Sequence, residues 1–123
     1  GLLSTPPITL VVRADRESYS NGSLAHIEFF LVYGANLLRG PVTIPSTSHE
    51  VMISGPSGPV LATRGYVHVE EPLTISPNTT EKIGEFDWDL KDASGNPVAP
   101  GTYMIRVSLL DYPLSGEIRI QVY

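Results

Sequence analysis

Apolar and polar residues alternate most regularly over residues 24–33. The side chains suited to a buried face are Ala25, Ile27, Phe29, Leu31 and Tyr33. The opposite side is mixed and carries Leu24, His26, Glu28, Phe30 and Val32. A period of two residues is typical of a β-strand with one face in the core. The pattern therefore predicts a strand whose second face is only partly covered.

Shorter segments with the same period follow, separated by turns rich in glycine, proline and asparagine. The predicted strands cover residues 8–14, 24–33, 50–54, 59–62, 66–69, 73–75, 80–88, 103–110 and 117–123. Around Gly84 the alternation slips, which predicts a β-bulge. No segment has the 3.6-residue period of an amphipathic helix. The sequence predicts an all-β, immunoglobulin-like antiparallel β-sandwich of seven to nine strands, with a tail over 1–7 and one domain over 8–123.

The composition narrows the classes of partner. The 123 residues include 8 basic and 13 acidic side chains and no cysteine, with a net charge of −5. Because the basic residues are scattered singly, we expect no nucleic-acid partner. The longest apolar run, 29–33, is far shorter than the ~18 residues of a membrane span. Charged residues make up only 17% while Ser and Thr are plentiful, which favours an extracellular or cell-surface location.

The segment 86–103, FDWDLKDASGNPVAPGTY, combines an aromatic strand end with two turns. Trp88 offers a large apolar surface to the sandwich interior. Gly95 can adopt the positive φ that the 92–96 turn requires, and Pro100 with Gly101 suits the central positions of a type II turn. Tyr103 is placed to form a tyrosine corner, in which the hydroxyl bonds back to the chain. These features predict a structural role for the segment.

The same segment resembles the intracellular proteinase inhibitor (BsuPI-type) domain family. The residues that carry the resemblance are Trp88, Asp89, Lys91, Asp92, Gly95, Asn96, Val98, Pro100, Gly101, Thr102 and Tyr103, after a turn at 73–78. Similar runs also resemble the immunoglobulin-like modules of flagellar hook-cap and cell-surface proteins. The resemblance covers residues 51–110. It implies the sandwich fold and, for part of such a family, inhibition of serine proteases.

Candidate chemistry is sparse in the sequence. It contains no nucleophile elbow, HExxH motif or glycine-rich phosphate loop. We therefore expect a protein that is not an enzyme and has no cofactor. The histidines His26, His49 and His68 could converge on a metal, with Glu70 on the strand face of His68. The simpler interpretation is that the three histidines are exposed strand and loop residues.

A calcium site is the second metal candidate. Asp87, Asp89, Asp92 and Asn96 could ring an ion, because hard cations prefer clustered oxygens. Their spacing differs from that of an EF-hand loop. Turn capping by Asp92 and a solvated acidic face are the favoured interpretation, and no metal is predicted.

Two N-glycosylation sequons occur in predicted turns. They begin at Asn21 (Asn21-Gly22-Ser23) and at Asn78 (Asn78-Thr79-Thr80). Sugar attachment requires an exposed position in an exported protein. The sequons agree with the extracellular location that the composition favours.

The amino-terminal segment is unusually apolar. Its candidate contact residues are Leu2, Leu3, Ile8, Leu10 and Val12. In one interpretation this segment is the first strand of its own sandwich. In the other it adds as a strand to a neighbouring subunit, which builds a filament because head-to-tail addition does not close.

The sequence leaves two functions open. The preferred one is a non-enzymatic extracellular structural or adhesive module, a pilus-like subunit that forms a homopolymer through its N-terminal strand. The alternative is a proteinase inhibitor whose partner is a protease. Its exposed loop would be 55–59 or 34–45, the latter with Leu37, Leu38 and Arg39.

Overall fold

The computed structural model describes residues 7–34, 39–65 and 72–123, with side chains except at 63–65. These residues form β-strands and no helix, so they contain no helix able to cross a membrane. The strands are β1 (Ile8–Ala14), β2 (Ser18–Tyr19), β3 (Ala25–Tyr33), β4 (Val42–Ile44), β5 (His49–Gly55), β6 (Gly58–Gly65), β7 (Leu73–Ile75), β8 (Thr79–Trp88), β9 (Gly101–Leu109) and β10 (Ser115–Val122).

The strands pack as a sandwich. One layer has the order β1-β3-β8 and the other β2-β10-β9-β5-β6, while β4 and β7 form a separate pair. Every pairing is antiparallel except that of β2 with β10. One continuous apolar cluster lies between the layers, and the five predicted inward residues of β3 are at most 1% exposed. The predicted immunoglobulin-like β-sandwich is confirmed.

The predicted bulge is also confirmed and lies in the β3–β8 pair. Phe29 pairs with Gly84 and Phe30 pairs with Lys82, so Ile83 is the extra residue of β8. Glycine is required at position 84, because a β-carbon there would lie 2.5 Å from the Phe29 ring. The bulge thus lets an aromatic ring of β3 lie directly against the backbone of β8.

Two strands were not predicted. β2 lies between the predicted strands 8–14 and 24–33, and β4 lies in 34–45, which has no clear period. Tyr19 of β2 is 1% exposed, so this short strand supplies a core residue. The additional strands bring the described number to ten, above the predicted seven to nine. The predicted strand 66–69 lies outside the described residues.

The amino-terminal strand pairs within the chain. β1 is antiparallel to β3 along its whole length, from Ile8 opposite Tyr33 to Ala14 opposite Ile27. Its inward side chains, at positions 8, 10 and 12, are 2–6% exposed. This pairing accounts for their apolar character without a second subunit. Leu2 and Leu3 lie outside the described residues.

Candidate functional site

Among the described residues, the largest group of interacting charged side chains lies on the outer face of the β3–β8 pair. We call it the charged cluster, and its members are His26, Glu28, Lys82, Glu85 and Asp87. β3 contributes two residues and β8 three, and the register places His26 opposite Asp87 and Glu28 opposite Glu85. Because the bulge inserts one residue after Lys82, that side chain reaches the same face as Glu85. The cluster therefore depends on the irregularity of the strand.

The members of the charged cluster are connected in sequence. His26 Nδ1 lies 2.7 Å from Asp87 Oδ1, and His26 Nε2 lies 3.6 Å from Glu85 Oε2. Lys82 Nζ lies 2.8 Å from Glu28 Oε2 and also contacts Glu85. All the side chains are more than one third exposed. Such solvated ion pairs contribute little to the stability of the fold. A need for stability therefore does not explain why these charges lie together.

The charges of the cluster shift the pKa values of its members. The hydrogen bond that His26 donates to Asp87 raises the pKa of His26 above its usual 6.5. The hydrogen bond from Lys82 lowers the pKa of Glu85, and the bond to Glu28 raises the pKa of Lys82. Each shift favours the charged form. The cluster thus brings three carboxylates together with one ammonium and one imidazole on one face of the sheet.

The predicted histidine positions are only partly correct. His26 is half-exposed on a strand, as expected. His49 is 5% exposed, so the expectation that it is an exposed residue is wrong. Its Nδ1 lies 3.1 Å from the carbonyl oxygen of Thr47, and its ring lies edge-on to Phe29 at 4.6 Å between centroids. His49 is buried and not exposed because its imidazole packs against the Phe29 ring in the core. His68 and Glu70 lie outside the described residues.

The side chains proposed for calcium have separate tasks. Asp87 belongs to the charged cluster, and Asp89 Oδ1 accepts a bond from the backbone N–H of Lys91 at 3.2 Å. Asp92 Oδ1 accepts two bonds of 2.9 Å, from the backbone N–H groups of Ser94 and Asn96. This is the turn-capping geometry. Within the described residues, these three aspartates do not form a metal-binding group.

The aromatic residues of the 86–103 segment form a buried unit. Trp88 is 2% exposed, and its ring lies edge-on to Tyr103 at 5.6 Å between centroids. The Trp88 indole N–H donates to the carbonyl oxygen of Lys91 at 2.9 Å. The Tyr103 hydroxyl donates to the carbonyl oxygen of Ala99, four residues upstream, which is the contact of a tyrosine corner. Gly95 has the positive φ, 84°, that its turn requires.

The expectation for Pro100 and Gly101 differs from the structure. Gly101 begins β9 with φ at 154°, whereas the corresponding position of a type II turn has φ near +80°. A β-carbon at position 101 would lie 3.0 Å from Cγ of Pro56. Glycine is therefore favoured at position 101 because the β5–β6 turn approaches closely and because the φ angle is unusual. A type II turn is not the reason.

The predicted inhibitor loop is a tight hairpin. β5 and β6 are joined through Pro56 and Ser57, and both side chains are exposed. Gly55 lies against the Tyr103 ring, where a β-carbon would be 2.4 Å from a ring atom. An open cleft of about 400 Å³ lies beside the hairpin and is bounded by the 92–99 turn. Its lining includes one carboxylate, Asp92, which is occupied by backbone bonds.

Both sequons lie in exposed turns. Asn21 is exposed beside Gly22, and Asn78 is exposed with a positive φ of 62°. Their side chains therefore face solvent, which modification requires. Whether sugars are attached stays a prediction.

Comparisons with known proteins identify the fold. No protein-family profile and no curated protein matches the sequence. The alkylpurine DNA glycosylase AlkC of Pseudomonas fluorescens, solved bound to DNA with an abasic site analogue, is 13% identical, with a TM-score of 0.55 over 94% of this chain and 30% of its own. A β-glucosidase of Erythrobacter marinus is 16% identical, with a TM-score of 0.56 over 94% of this chain and 15% of its own. The CARDB domain of a Pyrococcus furiosus protein, solved with di-metal ions, is 14% identical with a TM-score of 0.49, covering 94% and 91%.

These likenesses bear on two predictions. At 13–16% identity they show a shared fold alone, and the chain spans less than a third of the glycosylase and of the glucosidase. The expectation that the chain is not an enzyme is contradicted, because the same fold forms part of two enzymes. Fold class therefore does not separate enzymes from other proteins here.

The charged cluster was not predicted as a group. The sequence signal was present, because His26 and Glu28 alternate on one strand and Glu85 and Asp87 on another. What the sequence did not supply was that β3 and β8 are neighbours and in which register. A strand pairing is needed before cross-strand residues can be grouped.

Proposed function

We propose that the chain is an extracellular structural or adhesive module that acts through association of its surfaces and sheet edges. The observation that supports this is the pairing of β1 with β3, which completes the apolar core within one chain. A self-contained sandwich can serve as a rigid unit in a larger assembly. The similar folds found as parts of longer chains agree with such a modular use.

Self-association, in this proposal, does not use β1. Removing β1 from its sheet would expose the apolar side chains of both β1 and β3, at a large cost in free energy. The segment left for strand addition is 1–6, with Leu2 and Leu3. Strand addition requires an edge with free backbone groups.

The edge of β6 is the preferred acceptor. Within the described residues β6 is hydrogen-bonded to β5 alone, and β8 to β3 alone. The β8 edge carries Glu81, Lys82 and Glu85, and charged side chains discourage pairing. The described β6 side chains, at positions 59–62, are uncharged and at least partly exposed. A homopolymer would form when the tail of one copy pairs with β6 of the next.

Sedimentation velocity and electron microscopy of the full chain test this proposal. We expect oligomers or fibres that grow with concentration, and their loss in the double variant Leu2→Ser, Leu3→Ser. The matched control is Ser4→Ala with Thr5→Ala, which changes the same tail without removing its apolar side chains. A wild-type chain that stays monomeric at every concentration contradicts the proposal.

The extracellular location has its own test. Both sequon asparagines are exposed in turns, which is compatible with modification. Expression through a eukaryotic secretory pathway should give a mass increase that Asn21→Gln and Asn78→Gln remove singly. An unmodified secreted chain would contradict the prediction of a glycoprotein.

Protease inhibition is the alternative function, and it follows from the BsuPI-type resemblance. The supporting observation is the tight hairpin tip, in which Pro56 and Ser57 are exposed while Tyr103 lies close to Gly55 and Gly101 lies close to Pro56. Arg39 of the second candidate loop is half-buried, and residues 35–38 lie outside the described part. Titration of a panel of serine proteases should show stoichiometric inhibition that Ser57→Pro or Arg39→Ala abolishes. An inactive wild-type chain excludes this function.

A further inference from the structure

We propose that His26, Glu28 and Glu85 bind a divalent transition-metal ion of the zinc class on the outer face of the β3–β8 pair. The site would exist whether or not the domain self-associates, because all three residues belong to one chain. Its ligands are one imidazole and two carboxylates. Imidazole is a good ligand for zinc, copper and nickel, and carboxylates complete many zinc sites.

The three ligand atoms already converge. One ligand atom from each side chain lies within 4.8 Å of the other two. The backbone fixes this proximity, because His26 and Glu28 follow each other on one face of β3 and Glu85 lies opposite Glu28 on β8. The side chains are partly exposed, so small rotations can bring them to the shorter separations of a coordinated ion. Water would complete the coordination.

The orientation of the imidazole leaves its outer nitrogen available to a metal ion. Asp87 Oδ1 lies 2.7 Å from His26 Nδ1, so Nε2 is the ring nitrogen directed at Glu85 Oε2, 3.6 Å away. In the protonated imidazolium Nε2 carries a proton that faces Glu85, and a bound metal ion would take the place of this proton. A carboxylate that holds the far nitrogen of a ligating histidine is the common outer-shell arrangement of zinc sites. Asp87 is therefore a positioning residue and not a ligand.

A cation already occupies part of this position. The Lys82 ammonium contacts Glu28 at 2.8 Å and also contacts Glu85, so it lies between the two carboxylates that would bind the metal. Lys82 is exposed on a flexible stem and can leave the site at little cost. The metal and Lys82 must therefore compete. Removal of the ammonium should strengthen metal binding.

Calorimetric titration of the full, untagged chain with zinc chloride at pH 7.5 tests the site. We expect one ion per chain, with the imidazole Cε1–H signal of His26 shifting in NMR spectra at the same stoichiometry. His26→Gln should abolish this binding. Asp87→Asn should weaken it about 10- to 100-fold, because outer-shell partners have effects of that size. Lys82→Met should tighten it about 3- to 10-fold.

A matched variant controls for general loss of charge. Glu117→Gln removes an exposed strand carboxylate on β10 in the other sheet and should leave the affinity unchanged. Thermal unfolding of each apo variant shows whether it is folded, and zinc should raise the unfolding temperature only where it binds. The proposal is overturned if His26→Gln binds zinc like the wild type, if Lys82→Met does not bind more tightly, or if magnesium binds equally well.

Discussion

Phe29 and Gly84 face each other across the β3–β8 pair, and the aromatic ring occupies the space that a β-carbon on residue 84 would need. A β-carbon there would lie 2.5 Å from two ring carbons. Phe29 is 1% exposed and its ring also contacts His49, so it cannot move aside without disturbing the core. The fold of β8 thus depends on the absence of one side chain.

Gly84→Ala should lower the free energy of unfolding by about 1–3 kcal/mol, the usual cost of overpacking a filled core. Urea denaturation at pH 7 measures this loss. Gly34→Ala is the matched control, since among the described residues no atom beyond its chain neighbours lies within 4 Å of its β-carbon position. That variant should be neutral or slightly more stable, because alanine reduces the entropy of the unfolded chain. Equal stability of the two variants would contradict the packing argument.

Tyr19→Phe should destabilise the protein although it changes a single atom. The Tyr19 hydroxyl donates to Asp15 Oδ1 at 2.5 Å and accepts from the backbone N–H of Arg16 at 2.9 Å. Loss of a hydrogen bond to a charged group costs about 1–3 kcal/mol. Tyr123→Phe is the control, because Tyr123 is 67% exposed and should tolerate the change. Urea denaturation of both variants distinguishes the two positions.

The contribution of Tyr19 should depend on pH in the alkaline range. Burial, and then the Asp15 hydrogen bond, raise the pKa of Tyr19 from 10 to about 12. The unfolded chain therefore loses this proton first, so the stabilisation is complete below pH 10 and is lost as the pH rises to about 12. Unfolding free energies of the wild type and Tyr19→Phe should approach each other over this range. A constant difference between them would show that the hydroxyl does not titrate as described.

Tyr103→Phe tests the tyrosine corner. The variant keeps the ring against Trp88 and Gly55 but removes the bond to the Ala99 carbonyl oxygen. Since Ala99 is exposed, water can solvate the freed carbonyl, and we expect a loss of about 1 kcal/mol. Chemical denaturation measures it. A loss above 3 kcal/mol would mean that the hydroxyl has a further role.

Leu10→Ala tests whether β1 belongs to its own sandwich in solution. Leu10 is 3% exposed, and truncation of a buried leucine costs about 2–5 kcal/mol. In the Leu2→Ser, Leu3→Ser background, which removes association through the tail, the midpoint of urea unfolding should fall equally at low and high protein concentration, because the strand is intramolecular. A midpoint that rises with protein concentration would show that β1 is supplied by another copy.

The regular strands were predictable because their two faces differ in character. The alternation in β3 and β9 gives both the element and its inward face, since one side is apolar throughout. β2 escaped prediction because two residues cannot show a period. Its pairing with β10 depends instead on bonds such as that from the Gln121 N–H to the Glu17 carbonyl oxygen, more than 100 residues away in sequence.

Candidate site residues were harder to predict than strands. The turn roles of Asp92 and Gly95 followed from local chemistry, which a short segment contains in full. The contacts of His26 with Glu85 and Asp87 join residues on separate strands, so they depend on strand order and register. The burial of His49 depends likewise on a ring of β3, Phe29, that sequence proximity does not indicate.

The single extra residue in β8 decides which side chains are neighbours. In a regular strand, odd-numbered and even-numbered positions stay on opposite sides, so residue 82 could not meet 85 or reach the cross-strand Glu28. Because Ile83 is an extra residue, the alternation of sides is reversed for the residues of β8 that precede it. Deleting this one isoleucine would give a regular strand in which Lys82 stays opposite Phe30 and beside Glu85, whereas a strand that kept Ile83 and paired it with Phe30 would turn the lysine to the other side.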